Sequence, residues 1–170
     1  MQFETNARGG WIVPAYTRLP TWVEVPAWSE LGNYCKLGDS CSLGNGCKLG
    51  DDCTLGARCT LGDYCKIGDD CTLGNYCRLG DNSKLGDGCK LGHGCELGAN
   101  TQWMGVVVES WLTLANVDGL GRQIKVVKHA LGVRVEAACF QGTLEDFCTK
   151  AAGEGKGRYV RVVSAVAAAM

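Results

Sequence analysis

The chain has 170 residues, with 17 Lys and Arg against 18 Asp and Glu and a net charge of −1. That length suits one domain or two small ones, and the balanced charge excludes a global basic field for duplex nucleic acid. No apolar stretch reaches the ~18 residues of a membrane-spanning helix, and MQFETNARGG lacks a charged segment followed by an apolar run, so neither a membrane span nor a signal peptide is expected.

Residues 1–30 carry Trp11, Trp22, Trp28 and all three prolines. They read as an N-terminal cap over the open end of a solenoid that begins at Leu31, because a solenoid end exposes unpaired strand edges. Val25 and Ser29 fit a degenerate first repeat.

From Leu31 to Gln102 the chain repeats L-G-x-x-C-x twelve times. Leu gives way once, to Ile67, and the fifth position is Cys except at Ser83 and Thr101. A six-residue period is the signature of a β-helix. In Cys47-Lys48-Leu49 the side chains alternate in, out, in, as a short strand requires. Gly50-Asp51-Asp52 then turns the chain, with residue types that tolerate left-handed backbone angles. Three strands and three corners close a triangular coil, and twelve repeats give four coils, a prism roughly 19 Å long at about 4.8 Å per coil. The expected fold is mainly β, with inward Leu and Cys.

Residues 103–170 break the period and read as a small α+β domain. Trp103 to Val117 is apolar and β-like. Gly121–Val127 and Gly132–Cys139 read as strands around a turn at Lys128 to Leu131. Thr143 can cap a helix over Leu144 to Ala152, with Asp146 in the capping-box position. Gly153 to Gly157 ends it, and Tyr159, Val160, Val163 and Val166 suit a second helix, although Arg158 to Val163 alone could be a strand.

The repeat of residues 31–102 resembles the hexapeptide-repeat family, whose pattern is aliphatic, Gly, two variable residues, a small residue and one more. The resemblance implies a left-handed parallel β-helix, an exception to the right-handed crossover rule, and commonly a homotrimer. It leaves function open, since such folds serve acyltransferases, carbonic anhydrases, nucleotidyltransferase partner domains and non-enzymatic scaffolds. The C-terminal run around Gly132-Val133-Arg134-Val135, Ala138 to Leu144 and Arg158-Tyr159 looks like a tail of uncharacterised bacteriophage proteins. That resemblance implies a phage origin and hence a host bacterial cytoplasm.

Residues 18 apart stack, so the surface reads as columns. Lys48, Lys66, Lys84 and Gln102 stand beside a corner of Asp51, Asp52, Asp69, Asp70 and Asp87. One reading is a compensated charge ladder, worth little in stability. The other is a cation site at Asp51, Asp69 and Asp87. A second region gathers Arg58, Tyr76, Arg78 and His93, residues suited to a phosphate, a nucleotide or an acidic partner, with Arg over Tyr a cation–π contact.

The ten repeat cysteines read as small core residues, since zinc sites favour closer spacings and no cofactor is called for. Cys148, four residues after Leu144, reads as core of the C-terminal domain. Without a secretion signal, a reducing cytoplasm is expected. Two functions then compete. One is a non-enzymatic, trimeric binding scaffold for a host protein or a small anionic or nucleotide ligand. The other is an acyltransferase in which His93 is the general base. Against the enzyme, no coil extrudes a loop, and two His are too few for a three-His carbonic anhydrase. A virion or filament component is a third reading.

Overall fold

The computed structural model describes residues 2–115, 123–137 and 140–170 and divides into two compact units, Met1–Val106 and Val107–Met170. Among the described residues no helix is long and apolar enough to cross a membrane.

The first unit is a β-solenoid of about five turns, a left-handed β-helix of hexapeptide repeats. The first face stacks Trp11–Val13, Glu30–Leu31, Lys48–Leu49, Lys66–Ile67, Lys84–Leu85 and Gln102–Trp103, flanked by Glu4–Thr5 and Val106–Val107. The second stacks Arg18–Leu19, Lys36–Leu37, Thr54–Leu55, Thr72–Leu73 and Lys90–Leu91. The third stacks Glu24–Val25, Ser42–Leu43, Thr60–Leu61, Arg78–Leu79 and Glu96–Leu97. The coils pair in parallel register, Thr60 with Ser42 and Arg78, Lys66 with Lys48 and Lys84. The inward residue of each strand is buried and the outward one exposed nearly throughout, as the period-2 pleat demands.

The coiling starts earlier than the repeat signature, giving about five turns where four were expected. Val13, Leu19 and Val25 keep the aliphatic spacing and are buried. The signature fades because the residue types at the other positions change. Pro14, Pro20 and Pro26 stand 18 residues before Gly32, Gly38 and Gly44. In later coils this amide donates to the coil above, as Gly38 N does to Leu19 O (3.0 Å). The first coil has no solenoid coil above it, and proline supplies no donor to leave unpaired. All three prolines of the chain are thereby explained.

Glycine follows the aliphatic residue for a reason other than turn angles. Its position lies against the backbone of the preceding coil: a Cβ on Gly74 would stand 2.6 Å from Gly56 C and 2.7 Å from Ala57 N. The left-handed angle falls two residues later, at Tyr34, Arg58, Tyr64, Tyr76 and their equivalents, with φ near +60° (Arg58 60°, Tyr76 59°). Their amides are paired, Tyr64 N donating to Asp81 O at 2.8 Å and Tyr76 N to His93 O at 2.8 Å.

The second unit is a four-stranded antiparallel sheet, Ser110–Ala115, Gln123–His129, Gly132–Ala137 and Phe140–Thr143, with helices α1 (Leu144–Gly153) and α2 (Gly157–Ala169). Ile124, Val126 and Val135 alternate onto one face and close a core with Phe147, Ala151 and Val163. Thr143 ends the last strand and caps α1, its Oγ1 accepting from Asp146 N (3.1 Å). Phe140–Thr143 is a strand that the sequence pattern does not predict, and 158–163 is helical. Cys148 is half-buried with its Sγ 3.5 Å from Ser164 Oγ, packed against this core. Val117, Gly121, Ala138 and Cys139, which bound the expected strands and the C-terminal resemblance, lie outside the described residues.

Candidate functional site

The interior is built from thiols as well as Leu. All ten repeat cysteines are free and buried. All ten donate to a carbonyl 21 residues back: Cys59 Sγ to Gly38 O at 3.3 Å, Cys77 Sγ to Gly56 O at 3.2 Å, Cys89 Sγ to Gly68 O at 3.1 Å, and Cys65 at a longer 3.5 Å, to Gly44 O. Cysteine is thus more than a small hydrophobe here; it meets the corner carbonyl of the coil above. Burial pushes the Cys35 and Cys41 thiols above their ordinary value, with backbone groups at Thr17 and Val23 acting partly against it. Among the described residues no group of three His, Cys, Asp or Glu side chains is arranged to hold a metal ion.

Where hydroxyls replace the thiol, their partners differ. Thr17, Ser29 and Thr101 donate to carbonyls three residues back, Pro14 O, Pro26 O and Gly98 O. Ser83 is fully buried, and its Oγ has no partner among the described residues. Ser83→Cys should therefore let the side chain reach toward the Gly62 carbonyl, as its equivalents reach theirs. Relieving a buried orphan hydroxyl is worth about 1–3 kcal/mol, so thermal melting should move up by a few degrees. An unchanged or lowered melting temperature would count against this role for the thiols.

The acidic corner carries a further set of contacts, to the backbone. Asp51 Oδ1 accepts from Asp69 N (3.0 Å), and Asp69 Oδ1 accepts from Asp87 N (2.8 Å). Asn33, Asp39, Asn45, Asp63, Asn75 and Asp81 do the same one coil on. These Asp and Asn oxygens form a ladder of contacts to the backbone. Lys48 pairs with Glu30 of the coil above (2.8 Å), and among the described residues Lys66 and Lys84 have no carboxylate within 4.0 Å.

The Arg58, Tyr76, Arg78, His93 region is assembled by the second corner and the third face. Arg58, Thr60, Tyr76, Arg78, Gly94 and Glu96 line a depression of about 320 Å³. The expected Arg–Tyr stacking is not formed among the described residues. Tyr76 instead leans over Gly94, where a Cβ would stand 2.5 Å from its ring, and meets His93 edge-on at 5.7 Å. His93 stands beside the depression, exposed, and its ring has no carboxylate partner among the described residues. Arg78 is engaged by Glu96, Nε to Oε2 at 2.9 Å and Nη2 to Oε1 at 3.3 Å. Arg58 is exposed and has no carboxylate partner among the described residues. Thr60 and Glu96 join the site beyond the four residues expected there; the 18-residue column through Ser42, Thr60, Arg78 and Glu96 is the sequence signal that contains them.

These features define a short hexapeptide-type solenoid with a polar surface depression. Residues 29–63 and 64–99 match the family model described as Bacterial transferase hexapeptide (six repeats). Comparison with curated proteins found no match, and comparison with solved structures found none. The family match does not extend to the C-terminal unit.

Proposed function

We propose that the protein is a non-enzymatic binding scaffold that acts as a homotrimer and holds a small anion, a phosphate-bearing ligand or an acidic partner patch at the Arg58 corner. The observation that carries this reading is the Arg58 guanidinium, without a carboxylate partner among the described residues, at a depression that also offers the Thr60 hydroxyl and the Tyr76 side chain. Arginine suits phosphate and carboxylate because its donors form a planar fork. The trimer rests on the habit of the family.

The acyltransferase alternative rests on His93. A general base is normally oriented by a second group. His93 has its backbone amide on Asn75 Oδ1 (2.8 Å) and an aromatic edge at its ring, an arrangement that fits a surface histidine better. The regular six-residue strand spacing also leaves no extruded loop to build an acyl-donor cleft.

Calorimetric titration with ATP as the probe tests the binding reading. Binding should weaken as salt rises, and Arg58→Ala should lower affinity at least tenfold with the melting temperature unchanged. Equal affinity in the variant would refute the site. Acetyl transfer by the purified protein that is lost in His93→Ala would favour the enzyme.

A further inference from the structure

The N-terminal end of the solenoid carries a cavity of about 290 Å³ lined by Trp11, Leu19, Pro20, Val23 and Glu24. All five belong to the first coil. At the same corner Trp22 is 77% exposed, and among the described residues no ring or cation stacks on it. It holds a left-handed backbone angle of 61°, a position where Gly46, Gly88 and Gly94 stand in other coils. A residue other than glycine is disfavoured at that angle, and most of the indole is left in solvent. Arg18 and Glu24 flank the corner as the outward residues of the two end strands. Among the described residues neither has an ion-pair partner.

We infer that this end is a self-complementary contact for a second copy of the chain, with Trp22 of each copy seated in the end cavity of the other. The charges select the partner. A two-fold axis across the solenoid through this corner exchanges the second face with the third and reverses strand direction. It sets Arg18 of one copy against Glu24 of the other, twice. The cavity lies just below the roughly 300–1,000 Å³ of small-molecule sites, a size that suits one side chain. Pro20 and Pro26 lack the amide that would continue the ladder, so the contact closes at two copies and does not propagate as a filament.

The strength of the contact rests on the trimer proposed above. Two indoles bury roughly 300–500 Å², short of the roughly 1,200–2,000 Å² of a stable interface. Two trimers meeting end to end would make three such contacts at once, and six subunits are the expected assembly.

Native mass spectrometry at micromolar concentration tests this with Trp22→Gly, which removes the ring and installs a residue suited to the backbone angle. Wild type should show six subunits and Trp22→Gly three. Arg18→Glu should also give three, and adding Glu24→Arg should restore six. Two subunits in wild type, falling to one in Trp22→Gly, would refute the trimer and uphold the end contact. A wild-type protein of three subunits or one, or six subunits persisting in Trp22→Gly, would overturn the end contact.

Discussion

Leu61→Asp is expected to abolish the cooperative unfolding of the solenoid. Leu61 is 1% exposed in the strand Thr60–Leu61, stacked in register between Leu43 and Leu79. Its surroundings are the inward Leu and Cys side chains, and no inward residue of the neighbouring strands is cationic. An unpaired carboxylate there costs several kcal/mol, and protonating it still leaves a cavity and a polar group in the core. Total stability of a domain is about 5–15 kcal/mol, so one such change consumes much of it. Circular dichroism and a thermal melt read the result. A soluble variant with the wild-type transition would contradict the inward Leu column.

Gly74→Ala should be strongly damaging for a change of a single methyl group. The atoms a Cβ would meet are Gly56 C at 2.6 Å, Ala57 N at 2.7 Å and Gly56 O at 2.7 Å, all backbone of the preceding coil. No side chain can rotate away, and moving the coil disturbs its ladder on both sides. Overpacking of this kind costs about 1–3 kcal/mol or more. Gly153 is the control, because nothing stands within 4 Å of its Cβ position at the end of α1. Gly153→Ala should be neutral or slightly stabilising, since Ala gains up to about 1 kcal/mol over Gly in a helix. Equal melting of the two variants would show that the coils are not packed as described.

The architecture of the repeat is legible in the sequence because its period, pleat and inward residues are all carried by residue type. The first coil is harder to read. Its aliphatic residues stay in place, but Pro replaces Gly and Thr17, Val23 and Ser29 replace Cys, for the physical reason that the coil ends the stack. Residue type also says too little at two positions. Glycine next to Leu suggests turn angles, whereas the constraint is the approach of another coil 18 residues away. Aspartate beside lysine suggests charge pairing, and its oxygen also caps a backbone amide one coil on.

The candidate site is legible as a column and less so as a contact. The 18-residue stacking brings Arg58, Tyr76 and Arg78 to one depression and leaves His93 beside it. Which arginine is engaged depends on side-chain direction, since Arg78 lies in register with Glu96 whereas Arg58 occupies a corner. The C-terminal strand Phe140–Thr143 escapes a sequence pattern because its four residues run straight into the capped helix.

The central claim is that the repeat thiols line a closed interior and bond to the coil above. Thiol labelling read by peptide mapping tests it most directly. In native protein Cys53, Cys59, Cys65, Cys71 and Cys77, each at most 1% exposed, should stay unlabelled while denatured protein labels at all ten repeat positions. Labelling of Cys59 or Cys77 in native protein at the denatured rate would contradict the closed interior.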